Sequence, residues 1–381
     1  VMIAAALSDR PTELYLNCIS KDIAATAACI RALGGDAIPT ETGYRISPVR
    51  RPFPTDTVPV LHCGESGSTA RFLMPVAAAV CTRSLFTGEG RLPQRPFAPL
   101  CEAMTANGIS CDRETLPMRL SGKLRAGTFE IDGNISSQYI SGLLFALPLL
   151  EAESEILLRT PLESSGYVDL TVSVLKDFGI TVHGTDRGFR VPGGQRYRGK
   201  PSVQIEGDWS NAAFWLVASA IGAPIRIDGL NPDSCQRDKE ILQLIQSTRE
   251  RGCFRADVRD IPDLVPILAV LACSGKGISV MENAGRLRLK ESDRLLAVAE
   301  MIRNLGGTAE EQMDRLIITG TGSLRGGSVN SYNDHRIAMA AAVASILCKE
   351  PVSVQDAGAV AKSYPHFFED FKKLGGQVYG I

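Results

Sequence analysis

The sequence predicts an α/β (α+β) protein of two domains made from repeated units. Two observations carry that prediction. A helix-like pattern ending in glycine and passing into a β-like run occurs six times, and one loop-rich seam lies near the middle of the chain.

The chain opens on Val1-Met2-Ile3-Ala4-Ala5-Ala6-Leu7, an apolar helical pattern with no capping residue ahead of it. A helix seldom starts this way, so we expect natural residues before Val1. The glycine endings then come in order: Leu33-Gly34-Gly35, Asn107-Gly108-Ile109, Phe178-Gly179-Ile180, Arg251-Gly252-Cys253, Leu305-Gly306-Gly307 and Leu374-Gly375-Gly376. Each glycine suits the position just past a helix, where the backbone turns left-handed. The endings recur roughly every 55–75 residues, a supersecondary period, and six copies divide into two groups of three. Strand-like runs such as Ile156-Leu157-Leu158 and Arg190-Val191 lie between them. The Gly/Pro/Arg-rich stretch from Pro192 to Pro201 reads as loop, and Ile205-Glu206-Gly207-Asp208 follows it, just before a helix-like segment from Ala212 to Ile221. These place a hinge at 205–208 and domains at 1–205 and 206–381.

Composition narrows the function. Among 381 residues, 44% are hydrophobic and 22% charged, and the net charge is −1, which argues against a general nucleic-acid or acidic-membrane surface. The 10 cysteines form no C-x-x-C pair, and with only 4 histidines a zinc site is not expected. Free thiols of a cytoplasmic protein are the reading. No stretch of 18 apolar residues is present.

Polar clusters stand at the starts of several apolar helices. Arg288-Leu289-Lys290-Glu291-Ser292-Asp293-Arg294 precedes the periodic run Leu295, Val298, Ala299, Ile302, Leu305, with Ser292 or Asp293 as N-cap. Two guanidinium groups, an ammonium and two carboxylates there fit an anion site with acid–base capability, or else a salt-bridged first turn. Gly64-Glu65-Ser66-Gly67-Ser68-Thr69-Ala70-Arg71 leads into the run from Phe72, where small residues let a ligand approach a helix N-terminus. Arg91-Leu92-Pro93-Gln94-Arg95-Pro96 is a basic loop whose Pro96 can open a helix through Leu100 and Met104. Asn134-Ile135-Ser136-Ser137-Gln138-Tyr139 precedes Ile140 to Leu150. Tyr332-Asn333-Asp334-His335-Arg336 precedes Ile337 to Leu347, with cations in a first turn where the helix dipole disfavours them. Taken singly, the Gly64 and Asn134 clusters can be caps and the Arg91 loop simply exposed, whereas Arg336 in its disfavoured position points to a ligand. Together, facing one interdomain cleft, they would suit substrates carrying phosphate and carboxylate groups.

These residues resemble those of the 5-enolpyruvylshikimate-3-phosphate synthase (3-phosphoshikimate 1-carboxyvinyltransferase) family. Lys290 to Arg294 and Tyr332 to Arg336 carry the resemblance. Gly64 to Arg71, Gly88-Glu89-Gly90-Arg91 with Arg95-Pro96, Ser136-Ser137-Gln138, Ile261-Pro262-Asp263 and Ala361-Lys362-Ser363-Tyr364-Pro365 extend it over essentially the whole chain. It implies a two-domain hinged clamp, each domain three βαββαβ-type units in an inside-out α/β barrel. The implied reaction moves the enolpyruvyl group of phosphoenolpyruvate to the 5-hydroxyl of shikimate 3-phosphate, with loss of phosphate. It also implies a cytoplasmic monomer acting on small molecules, with no metal or organic cofactor, no nucleic acid and no membrane.

By the same resemblance, Ser136, Ser137 and Ser164 hold the shikimate phosphate, Gln138 touches both substrates and Tyr167 packs near the shikimate ring. Asp263 is the base and Lys290 holds that region. Glu291 is the acid. Gly67, Arg95, Arg294, Arg336 and Lys362 form the phosphoenolpyruvate pocket, with His335 adjacent. Three departures stand out. The family's Lys-Ser pair and following Arg would precede Val1, so a chain starting at Val1 is expected to be nearly inactive. Glu65 and Arg286 stand where many members have Asn. The rival readings are UDP-N-acetylglucosamine enolpyruvyl transferase, whose mobile loop usually carries a cysteine absent from Arg91 to Pro96, and an inactive anion-binding fragment.

Overall fold

The computed structural model describes residues 1–54 and 56–380. The chain divides into two compact units, Val1–Ile205 and Glu206–Ile381. Each has its own hydrophobic core.

The first unit contains helices α1 (Met2–Ala6), α2 (Lys21–Ala32), α3 (Gly67–Val80), α4 (Ala98–Thr105), α5 (Ser137–Ala146) and α6 (Ser165–Asp177). Its strands are β1 (Thr12–Tyr15), β2 (Asp36–Thr40), β3 (Gly43–Ser47), β4 (Val60–His62), β5 (Arg83–Thr87), β6 (Ile109–Cys111), β7 (Met118–Gly122), β8 (Thr128–Asp132), β9 (Ser154–Thr160), β10 (His183–Thr185), β11 (Gly188–Val191) and β12 (Ser202–Gln204). They form three four-stranded sheets ordered β12-β1-β3-β2, β4-β5-β7-β6 and β10-β11-β9-β8. One pattern recurs. A parallel pair such as β4–β5 continues into an antiparallel hairpin whose second strand, β7, lies beside β5. In the first sheet the parallel partner comes from the far end of the unit, with Glu13 of β1 opposite Ser202 of β12.

The second unit contains α7 (Trp209–Ala220), α8 (Ile241–Arg251), α9 (Val265–Ser274), α10 (Arg294–Asn304), α11 (His335–Ala344) and α12 (Phe367–Lys373). Its strands are β13 (Arg255–Asp257), β14 (Ile278–Glu282), β15 (Thr308–Glu311), β16 (Arg315–Thr319), β17 (Gly327–Asn330) and β18 (Val352–Gln355). The sheet β13-β14-β16-β15 repeats the same pattern, while β17 and β18 form a parallel pair.

Two details differ from expectation. The complete repeats run βαβαββ, not βαββαβ: both helices come before the hairpin, because the last strand inserts between its hairpin partner and the parallel pair. In the second unit a third sheet is not formed among the described residues. Ile225 and Ile227 alternate with exposed neighbours as a half-buried strand would, but no ladder pairs them. The expected helix 212–221 begins earlier, at Trp209, because Asp208 accepts from the backbone of Ser210 and Asn211. The helix expected to open at Pro96 begins at Ala98, with a proline in its first turn.

Strands such as β5 and β16 bury alternate residues, whereas α9 is buried along nearly its whole length. Sheets with one wetted face thus wrap helices that are apolar on all sides, as an inside-out barrel requires. All six glycines that end the repeats have positive φ: Gly34 (79°), Gly108 (95°), Gly179 (76°), Gly252 (74°), Gly306 (82°) and Gly375 (98°). A Cβ there would be strained, so glycine marks each helix end in the sequence.

Candidate active site

The polar clusters fall into two sets, one in each unit. In the first unit, Ser66 caps α3 by accepting from the Thr69 N–H at 3.3 Å. Gly67 follows, and its lack of a side chain leaves room for two arginine heads. A Cβ there would lie 2.7 Å from Arg95 Nη1 and 3.0 Å from Arg71 Nη1. Two guanidinium groups therefore pack over the start of α3. Arg71 is 5% exposed, and its Nη1 donates to Gln138 Oε1 at 2.8 Å. Its cation also lies 5.4 Å from the ring centres of Phe97 and Tyr139, which adds support for a buried charge.

Gln138 stands in the first turn of α5, capped by Ser136 Oγ accepting from its N–H at 3.3 Å. Ser137 is buried beside it. The loop leading into α5 is tied to the loop before α6, since the Glu163 N–H donates to Gly133 O at 3.1 Å. That tie brings the approach to Ser136 alongside buried Ser164, which stands just before α6 at a left-handed φ of 55°. Tyr167 lies one turn further on, its N–H donating to Ser164 O. The Glu65 carboxylate packs against Gly90, where no Cβ fits. Ser136, Ser137, Gln138, Gly67 and Arg95 are thus brought together, and Ser164 and Tyr167 are reached through the loop tie.

In the second unit the centre is Arg294, the first residue of α10 and 1% exposed. Its Nη1 donates to Asp263 Oδ1 at 2.8 Å, its Nη2 to Glu291 Oε2 at 2.6 Å and its Nε to Asp334 Oδ2 at 2.9 Å. Asp334 is fully buried and does three jobs. It caps α11 by accepting from the Arg336 N–H, it accepts from Ser292 Oγ at 3.0 Å, and it anchors Arg294. Asp293, not Ser292, caps α10. Asp263, in the 3₁₀ turn Pro262–Leu264 ahead of α9, also accepts from Arg336 Nη2 at 3.0 Å and lies 4.0 Å from Lys290 Nζ. The same Arg336 nitrogen donates to Ser210 Oγ, and that hydroxyl donates to the capping Asp208. Lys362 donates to Asn333 O at 2.7 Å, and Tyr332 and Asn333 present that carbonyl at left-handed φ values of 53° and 55°.

The electrostatics follow from burial. Desolvation alone would raise the Asp263 carboxyl, but Arg336, Lys290 and Arg294 outweigh it and hold the group well below the usual carboxylate range. Burial opposes the Arg294 charge too, and Asp334, Glu291 and Asp263 overcome it. Burial lowers Lys290 to about 8 despite Asp263, and Arg294 and Arg286 add to that lowering. Burial and then Arg336 lower His335 to about 4, so its imidazole is neutral near pH 7. Arg288 lies outside this set. It pairs with Asp293 and Glu311 and donates to the Gln312 carbonyl, which is the salt-bridged alternative. Sequence reasoning offered Asp334 only as a helix cap, beside Asn333, and did not single out Arg71, although both sit inside motifs it quoted. Ser210 and Asp208 are found only through Arg336.

Among the described residues, no group of three or more His, Cys, Asp or Glu could hold a metal ion. Nor is any helix long and apolar enough to cross a membrane.

Buried cations on neutral-chain α/β units, with carboxylates at hydrogen-bond distance, define a class of protein that handles small multiply charged anions. The comparisons make the family specific. The profile described as EPSP synthase (3-phosphoshikimate 1-carboxyvinyltransferase) matches residues 1–371. A 3-phosphoshikimate 1-carboxyvinyltransferase of Clostridium kluyveri is 40% identical over 99% of this chain and 92% of its own length. That of Clostridioides difficile is 38% identical over the same shares. A solved EPSP synthase from Acinetobacter baumannii superposes with a TM-score of 0.79 over 98% of this chain and 92% of that one, at 22% identity, which speaks to fold alone. The chain belongs to the EPSP synthase family.

Proposed function

We propose that the protein transfers the enolpyruvyl group of phosphoenolpyruvate to the 5-hydroxyl of shikimate 3-phosphate and releases phosphate. The observation that supports this most is that Asp263 and Glu291 are both bound to one buried guanidinium, Arg294. One cation thus holds two candidate proton-transfer groups side by side, each placed where a substrate drawn to that cation would come within hydrogen-bond reach of it.

In this reading Ser136, Ser137 and Ser164 hold the shikimate phosphate with neutral hydroxyls, and Gln138, steadied by Arg71, reaches both substrates. Tyr167 lies against the shikimate ring. Gly67, Arg95, Arg294, Arg336 and Lys362 take the phosphoenolpyruvate anion. Asp263 accepts the proton of the 5-hydroxyl as its oxygen bonds to the central carbon of phosphoenolpyruvate. Glu291 delivers a proton to the methylene carbon, and the tetrahedral adduct results. Glu291 then takes back a methyl proton as phosphate departs, Asp263 gives its proton to the leaving phosphate, and the enol ether results. Asp263 as found is too well neutralised to be a strong base. Substrate anions that draw Arg336 and Arg294 toward themselves would raise its proton affinity, so binding would switch the base on. The reading needs no metal or organic cofactor, and the chain works as a monomer in the cytoplasm.

The test is phosphate release from phosphoenolpyruvate with shikimate 3-phosphate against release with UDP-N-acetylglucosamine. Turnover with the sugar nucleotide and none with shikimate 3-phosphate would overturn the assignment.

A further inference from the structure

Ser210 takes no part in the reading above, yet its hydroxyl sits against an arginine of the proposed pocket. It is the second residue of α7, and Arg336 is the second residue of α11. Both are buried. Arg336 Nη2 donates to Ser210 Oγ at 3.1 Å and to Asp263 Oδ2 at 3.0 Å. A terminal guanidinium nitrogen carries two hydrogens, so these two acceptors share it. One is a carboxylate and the other is neutral.

The direction of the hydroxyl is fixed. Ser210 has one hydroxyl proton, and that proton goes to Asp208 Oδ1 at 2.7 Å. The Oγ lone pairs are left for Arg336, which can only donate. The chain of bonds runs from Asp208 through Ser210 and Arg336 to Asp263, and it ties the starts of α7 and α11 to the turn before α9. Capping does not account for the hydroxyl. Asp208 caps α7 through the backbone N–H groups of Ser210 and Asn211, at 2.8 and 3.3 Å, and those bonds need no side chain at 210.

The two acceptors act differently on the cation. Asp263 offsets the Arg336 charge, whereas a hydroxyl orients the guanidinium and leaves its charge for a ligand. An incoming anion competes with Asp263 for Arg336, because both are negative. It has no such contest with Ser210.

We propose that Ser210 is a positioning residue of the phosphoenolpyruvate pocket: its hydroxyl, turned by Asp208, is the fixed partner about which Arg336 passes from Asp263 to the substrate anion. This rests on Arg336 belonging to that pocket. Without the hydroxyl, Nη2 keeps its anionic partner and loses its neutral one, so the cation is less well aimed when substrate arrives.

The experiment measures kcat and KM for each substrate in the full-length protein and its S210A variant. Alanine removes the hydroxyl and leaves the cap. KM for phosphoenolpyruvate is expected to rise about ten-fold, as for loss of a hydrogen bond to a charged group, while KM for shikimate 3-phosphate stays within about two-fold. A KM for phosphoenolpyruvate within about two-fold of wild type, or equal rises for both substrates, overturns the proposal. A cycle with R336M separates aim from general damage. Calorimetric affinity for phosphoenolpyruvate, with shikimate 3-phosphate present, should be the same in R336M and R336M/S210A, because the hydroxyl then has no cation to hold. A gap of about ten-fold between those two also overturns the proposal. Should the wild-type protein not turn over shikimate 3-phosphate, the assigned reaction fails, and inorganic phosphate becomes the probe. Phosphate binding about ten-fold weaker in S210A supports the role of Ser210, and equal binding, or none in either protein, overturns it.

Discussion

Replacing Arg294 with methionine removes the cation on which three carboxylates converge. Asp334 is fully buried, Asp263 and Glu291 are mostly so, and all three are within hydrogen-bond distance of the guanidinium. Breaking a buried pair by deleting one partner costs about 3–5 kcal/mol, because the surviving charge is left without compensation. Here Asp334 bears most of that cost, since Asp263 keeps Arg336. We expect a loss of about 3–5 kcal/mol near pH 7.5. The loss should depend on pH in a defined direction. In the wild type, burial opposes the Asp334 charge but Arg294 lowers its folded pKa, so its contribution is present above the unfolded carboxylate pKa of about 3.9 and is lost only as pH falls through the folded value. In the variant, burial is left unopposed by Arg294 and the folded pKa rises above the unfolded one. The variant then loses stability as pH rises from about 4 and regains it on acidification. The gap between the proteins should therefore narrow toward pH 5. Both tryptophans, Trp209 and Trp215, lie in α7, so their fluorescence during urea unfolding follows the second unit by itself. A loss below about 1 kcal/mol at pH 7.5, or a gap that stays constant down to pH 5, would refute the reasoning.

Four further outcomes are expected. E291Q should cut turnover by about 10²–10⁴-fold while leaving shikimate 3-phosphate affinity within a few fold, measured by steady-state kinetics and calorimetry, and unaltered turnover removes Glu291 from the acid role. G67A places a methyl group 2.7 Å from Arg95 Nη1, so KM for phosphoenolpyruvate should rise more than KM for shikimate 3-phosphate. Lys290 loses its proton as pH passes about 8, and neutral Lys290 compensates Asp263 less well, so affinity for shikimate 3-phosphate should weaken above that pH. K290R should move this limb upward, and an unchanged limb assigns it elsewhere. H335N should give a turnover profile parallel to wild type between pH 5 and 8, since burial already keeps that imidazole neutral, and a wild-type limb near 6 that H335N abolishes would contradict this.

Much of this was legible in local pattern. Glycine at six helix ends and Ser66, Ser136, Asp293 and Asp334 at helix starts obey rules that act within one turn of chain, and all are found where those rules put them. The charge clusters could be recognised as unusual for the same reason. Pairing across the fold was not legible. Nothing near Arg294 indicates that Asp263 and Asp334 meet it, because they come from separate repeats. Asp238 lies in the string Arg237-Asp238-Lys239-Glu240, which reads as a solvated turn, yet the turn is packed so that one of its four charged side chains points inward. The missing third sheet of the second unit shows the same limit: the alternation of Ile225 and Ile227 is local, but the ladder partner that would make a strand is not.

The pairing of β1 with β12 has a consequence for synthesis on the ribosome. Once Thr12–Tyr15 has emerged, its neighbour on one side, β3, follows soon after. Its other neighbour, Ser202–Gln204, emerges only when the unit is nearly complete. While most of the first unit is being made the nascent chain therefore carries an open sheet edge, which is prone to pair with other chains. The edge is short, and Glu13 faces outward on it beside Arg45, so charge guards the opening until the last strand arrives. Full closure is a late event, and a ribosome stalled before residue 202 would hold an incomplete first unit however well its two other repeats had packed.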